Sequence, residues 1–311
     1  MVIPQMSWPP EINLTILQLN NTMWHSFNGN IIRVDEPVIS TQSRGLMYGD
    51  GCFETFASYG GYVFRLQQHI ARLQKACEYL SLKSVKAVEI DYLQSILLQL
   101  LQRNKLTKKK AWFRMQVWRR GSRGYNIDGG QQSNWNIQCG ELTGSDNKEA
   151  LKLATVSVRR IPSAALSSEF KLTNGLNYIK AAEEAKNKNA DQALMLTVDG
   201  RVSETTVANI FWFKDNTLYT PDRNCDLLPG ITREFVMETV KKKMGIPVVE
   251  GSFSRDELLD ADFVFICNSL RDLKLVKEID GYIFSTDNNY FDSLLEHYEI
   301  EKKNNLERLV S

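Results

Sequence analysis

In the stretch FKLTNGLNYIKAAEEA, Phe170 to Ala185, two lysines stand nine residues apart. Lys171 precedes a turn-like Thr-Asn-Gly, and Lys180 sits in a run of Ala and Glu with helical character. Most lysines of a soluble protein are solvated cations, so the rest of the chain must supply a reason to give either of them chemical work. Three other features carry recognisable chemistry. In LPGITREF, Pro229-Gly230 makes a tight loop and the next residues open a helix. The first amides of a helix lack partners within it, so Gly230, Ile231 and Thr232 can offer N–H groups and a hydroxyl to a phosphate. An ordinary capped helix start would look the same. Glu204, in VSETTVANIF, ends a strand-like run, where a carboxylate can hold a partner's proton in a low-dielectric site or simply face water. Arg72 lies off the apolar stripe Ile70–Leu73–Cys77–Leu80, which sends it to solvent or to a polar cleft.

These groups must be placed by a mixed α/β scaffold. LQQHIARLQKACEYL and YLQSILLQLLQRN have helical periodicity, and AWFRMQVWRR alternates as a half-buried strand. In that strand Phe113, Met115 and Val117 share one face, and Arg114, Gln116 and Trp118 share the other. From Gly121 to Lys148 the chain turns polar and rich in Gly, Ser and Asn, which reads as a linker region. Beyond it, LKLATVSV is a strand and NYIKAAEEAKNK a helix. Two hairpins follow, turning at Asp199-Gly200 and at Asp215-Asn216. A helix closes at Gly245, and ADFVFICNS is a buried strand. The expected architecture is α/β (α+β) in two domains. Residues 1–140 form the smaller α+β domain, with 1–20 as an extension. Residues 141–148 are the linker, and 149–311 form the larger α/β domain carrying Lys171.

Composition narrows the function classes. The 311 residues balance 38 basic against 37 acidic side chains, so no net field favours nucleic acid or a membrane surface. The five cysteines form no CxxC pair and the three histidines are scattered. Neither a disulfide framework nor a metal site is expected, and a reducing, cytoplasmic setting suits the thiols. The first 20 residues lack the pattern of a signal peptide, and no run is long and apolar enough to span a bilayer. No complete GxGxxG, Walker A loop, HExxH or GxSxG occurs.

Taken in order, the segments FNGNII, RGLMYGDGCFETF, FRLQQHIARL, KLTNGLNYIKAAEEA, DGRVSETTVANIFW, LYTP, LPGITR and ADFVFICNSL resemble the class IV aminotransferase family of pyridoxal-phosphate enzymes. That family includes branched-chain and D-amino-acid aminotransferases and aminodeoxychorismate lyases. The resemblance implies fold type IV, as in D-amino-acid aminotransferase, with pyridoxal 5′-phosphate as cofactor. It makes Lys171, at the head of Lys171-Leu172-Thr173-Asn174, the Schiff-base lysine and leaves Lys180 to solvent. Lysine amines do this work when burial or a nearby cation keeps them partly neutral. Glu204 matches the carboxylate beside the pyridine nitrogen, and Arg72 the phosphate-binding arginine. Ile231, Thr232 and Ser269 match the phosphate cup. Arg123, with Arg120 second, is the candidate for the substrate carboxylate, and Tyr48 for the wall of the same pocket. The resemblance also implies a homodimer acting on small amino acids and 2-oxo acids.

Three activities follow. The first is amino transfer between a small amino acid, branched-chain-like or D-, and a 2-oxo acid. The second is release of pyruvate from 4-amino-4-deoxychorismate, leaving 4-aminobenzoate. Transaminases of the family often carry Gly after the pyridine-binding Glu, where Thr205 stands here. They often have Pro where Leu275 stands. Both positions, and RGSRGY, look closer to the lyases. The third is phosphate-ligand binding without catalysis, against which Lys171, Glu204 and Arg72 all argue.

Overall fold

The computed structural model describes residues 23–83, 85–121, 123–127, 132–143 and 149–310. The expected extension 1–20 and most of the linker, 144–148, lie outside the described residues. The first sheet holds β1 (Trp24–Phe27), β2 (Asn30–Arg33), β3 (Gly51–Tyr59), β4 (Tyr62–Phe64), β5 (Lys110–Arg119) and β6 (Ser133–Glu141). Its order is β16-β4-β3-β5-β6-β1-β2, where β16 is the late strand Leu306–Arg308. Between β2 and β3 comes the short α1 (Arg44–Tyr48), and α2 (Leu66–Tyr79) and α3 (Ile90–Arg103) follow β4. Leu66, Ile70, Leu73 and Cys77 recur at three- and four-residue steps along α2. They pack with Leu93, Leu97 and Leu100 of α3 against Cys52, Phe56, Phe113, Met115 and Val117 of the sheet. Burying such a stripe against a sheet face is what stabilises an amphipathic helix. The thiols of Cys52 and Cys77 meet there at 3.8 Å and are free.

The second sheet contains β7 (Leu151–Thr155), β8 (Gln192–Leu196), β9 (Val202–Thr205), β10 (Asn209–Lys214), β11 (Thr217–Pro221), β12 (Val248–Gly251), β13 (Phe263–Asn268), β14 (Asp272–Ile279) and β15 (Tyr282–Ile283). Its order is β12-β11-β10-β13-β14-β7-β8-β9, with β15 beside β14. A further pairing of β9 with β10 joins the run β10-β13-β14-β7-β8-β9 into a closed, barrel-like ring. The closing pair is Glu204 opposite Asn209. The ring is supported by α4 (Leu176–Asn187), α5 (Ile231–Thr239), α6 (Arg255–Leu259) and α7 (Asn289–Asn304). Both expected hairpins form, with Asp215 and Asn216 at φ +47° and +56°, as a tight primed turn requires.

Two details depart from the sequence reading. Ser133–Glu141, within the polar stretch, is a full strand between β5 and β1. Its buried Trp135, Ile137 and Cys139 alternate with Asn and Gln, so its mean polarity hides a half-buried strand. The C-terminal segment does not stay with the second sheet. After α7 the chain crosses back, and β16 pairs with β4. Among the described residues no helix is long and apolar enough to cross a membrane.

Candidate active site

A cavity of about 370 Å³ opens between the two sheets. Its wall includes Lys171, Arg72, Glu204, Ile231, Thr232 and Ser269, so the structure brings six of the sequence-predicted residues together. Lys171 is held there by main chain. Residues 171–173 run beside the start of β3. The Phe53 amide donates to the Lys171 carbonyl (2.8 Å), and the Thr173 amide donates to that of Gly51 (3.0 Å). Strand alternation then sends Leu172 into the first core and Lys171 the opposite way, into the cavity. Its amine has no hydrogen-bond partner among the described residues and lies 5.4 Å from the centre of the Phe53 ring. Burial lowers its pKa, the carboxylates of Glu54 and Glu204 oppose the shift, and the guanidinium of Arg72 adds to it. Lys180 is exposed and paired with Glu183.

Arg72 is largely withdrawn from solvent, its side chain 11% exposed. His69 and Arg72 are one turn apart on the flank of α2, and both face the buried carboxylate of Glu54. Arg72 makes a bidentate pair with Glu54, at 2.8 and 2.9 Å, and donates to the Pro229 carbonyl at 3.1 Å. Burial pushes the Glu54 carboxyl up, but Arg72 and His69 outweigh it and hold it well below the usual range. Glu54 is thus an anion that aims Arg72. Nothing in the alternation of GDGCFETF singled it out.

Glu204 sits where the ring closes. Its Oε2 accepts from Asn209 Nδ2 (3.0 Å) and the Leu228 amide (3.1 Å), and its Oε1 lies 3.3 Å from the Arg160 guanidinium. Burial raises its pKa despite Arg160. The next residue, Thr205, uses its hydroxyl to bridge Gln192 and the backbone of Ala208, which pins the loop lining the cavity. Across from it, α5 starts at Gly230 with no side-chain cap. A Cβ on Gly230 would meet Asn209 Oδ1 at 2.1 Å, so any larger residue would require Asn209 or the start of α5 to shift. The first amides of α5 are left facing the cavity, an anion site by geometry and by dipole. The hydroxyls of Thr232 and Ser269 stand 3.3 Å apart beside them.

Two lining residues escaped the sequence reading. Tyr178, in the first turn of α4, lines the cavity, and its hydroxyl accepts from Arg160. Arg114 of β5 also lines it, with its guanidinium 3.9 Å from the Phe53 ring centre. No hydrogen bond or ion pair holds Arg114 among the described residues, and burial lowers its pKa. The alternation of β5 had already placed Arg114 opposite the core face; what was missing was the element that covers it.

Arg123 and Tyr48 are not brought to the cavity. Tyr48 instead meets the segment next to Arg123. The Tyr48 hydroxyl accepts from the Gly124 amide at 2.9 Å, and its ring meets Tyr125 at 5.4 Å. Arg123 is exposed, and Arg120 donates to Gln132.

The family model for class IV amino-transferases matches residues 51–279, which contain every lining residue named above. The chain belongs to this family. A protein of Methanocaldococcus jannaschii, named provisionally as a branched-chain-amino-acid aminotransferase, is 34% identical over 83% of this chain and 88% of its own. The aminodeoxychorismate lyase of Bacillus subtilis is 28% identical over 89% of this chain and 94% of its own. The branched-chain aminotransferase of Thermoproteus uzoniensis, solved with norvaline, superposes with a TM-score of 0.85 at 27% identity. It covers 93% of this chain and 99% of that one. The fold is therefore fold type IV, and the chain is a pyridoxal-phosphate enzyme of the class IV aminotransferase type. The cavity fits that cofactor. Its wall holds an amine without a hydrogen-bond partner among the described residues, a buried carboxylate, and an uncapped helix start near an arginine.

Proposed function

We propose that this enzyme moves an amino group between a small amino acid, branched-chain-like or D-, and a 2-oxo acid, with Lys171 as the catalytic amine. The observation that carries the reading is the convergence of Lys171, Glu204 and the α5 start on one cavity. Arg72, Ile231, Thr232 and Ser269 hold the phosphate end. Glu204, set by Asn209 and Leu228, keeps a proton on the pyridine nitrogen. Bound there, the cofactor supplies an electron sink that acidifies the substrate Cα–H. Lys171 Nζ, whose pKa burial lowers, takes that proton and returns it on the other side of the transfer. Arg114, the unpaired guanidinium in the wall, receives a substrate carboxylate through a planar pair of N–H groups.

The proposal includes a homodimer in a cytoplasmic setting. Tyr48 packs beside Tyr125, which is 87% exposed, and Leu46, two residues before Tyr48, is 66% exposed, apolar surface suited to a second copy. We assign Arg123 and Tyr48 to the cavity of that copy.

The lyase reading keeps the same lysine and cofactor. The buried Thr205 staple and the Leu275 position favour it, as does the Bacillus subtilis relative. One experiment separates the two. The loaded enzyme is mixed with L-leucine, L-valine or D-alanine, and in parallel with 4-amino-4-deoxychorismate. Formation of pyridoxamine phosphate and a 2-oxo acid supports amino transfer. Pyruvate and 4-aminobenzoate, with no response to any amino acid, overturn it in favour of the lyase.

A further inference from the structure

Between β13 and β14 the chain reverses through Ser269–Arg271, with Asn268 opposite Asp272. This turn presents Ser269 to the cavity. Its first end is tied within the turn and to the loop before β10. Asn268 Oδ1 accepts from the amides of Leu270 (3.0 Å) and Arg271 (2.8 Å), and its Nδ2 donates to the Val207 carbonyl (3.2 Å). Its second end is tied to the C-terminal helix. Asp272, at φ +54°, accepts through Oδ1 from Lys302 Nζ (2.7 Å) and from the Tyr298 hydroxyl (2.9 Å), both on α7.

Lys302 is an unusual residue to find there. It is 5% exposed, and Tyr298 is 1% exposed. The ammonium also stands 4.2 Å from the ring centre of Tyr59, at the end of β3 in the other sheet. The earlier part of α7 packs Phe291, Leu294 and Tyr298 into the second sheet's core, and the chain beyond it becomes β16 of the first sheet. Lys302 thus lies where the C-terminal helix meets both sheets and the cavity turn. An apolar side chain would fill that space without the cost of desolvating an ammonium. A charge kept at such a place is explained by what it fixes, here a carboxylate in a left-handed backbone position three residues from Ser269.

We propose that Lys302 and Tyr298, acting through Asp272, are positioning residues for the phosphate-side turn, so that the C-terminal helix sets how firmly the cofactor's phosphate is held. The inference rests on the reading that Ser269 faces the phosphate.

The test compares two ligands on the cofactor-stripped full chain: pyridoxal phosphate, and pyridoxal, which lacks the phosphate. In Lys302→Met the preference for pyridoxal phosphate over pyridoxal falls by about fivefold or more, within the range by which residues outside a site modulate binding. Affinity for pyridoxal itself is unchanged. Lys302→Arg restores most of the preference. Tyr298→Phe, which removes a single hydroxyl, gives a smaller loss in the same direction and carries the test if Lys302→Met does not fold. An unchanged preference in these variants overturns the inference, as does an equal loss for both ligands. A wild-type chain that shows no preference for the phosphorylated ligand removes the phosphate reading itself, which is a separate and recognisable failure.

Discussion

At the scale of single residues, the site is a balance between burial and charge. Lys171 has its pKa lowered by burial, so the unfolded chain holds that proton more tightly than the folded one. Folded-state stability therefore rises with pH between the lowered value and the ordinary lysine value of 10.5. Lys171→Met should stabilise the cofactor-free protein near neutral pH, and the gain should fade as pH approaches that ordinary value. Thermal melts of both proteins across pH check this; a gain independent of pH would contradict it. Glu204→Gln removes the charge beside the ring nitrogen and leaves the shape. It should cut turnover by at least about a hundredfold with a smaller change in cofactor affinity. Arg114→Met should raise KM for the 2-oxo acid by about tenfold or more, since a charge-assisted pair is lost, while kcat changes less. Steady-state kinetics separate these effects. That Lys171, Glu204, Arg72 and Thr232 share one cavity was legible only through the family resemblance, which reads their short motifs together and in order. Arg114, Glu54 and Tyr178 were not, because their partners are more than a dozen residues away in sequence.

At the scale of elements, the site is made from ends: residues 171–173 along β3, the last residues of β9, and the first turn of α5. The sequence marks these ends well where glycine and proline punctuate them, as at Leu228-Pro229-Gly230 and Asp199-Gly200. It marks them poorly where polar side chains alternate on a half-buried strand, as in β6. Gly230 is the sharpest probe. Gly230→Ala brings a methyl to within 2.1 Å of Asn209 Oδ1, the residue that also donates to Glu204 and to the Leu228 carbonyl. Either the α5 start or Asn209 must move. Cofactor affinity should fall by about tenfold or more, read from the dissociation constant, with the melting temperature changed only modestly. Unaltered affinity would show that the α5 amides do not hold the phosphate.

At the scale of the molecule, two sheets share one cavity, and α7 with β16 ties them together. That return was invisible to local pattern, since β16 is three residues long and only its pairing with β4 identifies it. The exposed Tyr125 beside Tyr48 raises the question of a second copy. If Arg123 acts in the partner's cavity, then Lys171→Ala and Arg123→Ala chains are each impaired alone. Mixed and reassembled, they should recover about a quarter of wild-type activity, because half the dimers are mixed and each has one complete site. No recovery would place Arg123 in its own chain's cavity or outside the mechanism.

The central claim is that Lys171, and not Lys180 nine residues further on, is the amine that engages the cofactor. Borohydride reduction of the pyridoxal-phosphate-loaded enzyme, followed by proteolysis and mass mapping, tests it directly. The label should fall on Lys171 and be absent from the Lys171→Ala protein. A label on Lys180, or no covalent label in the wild-type chain, would contradict the account.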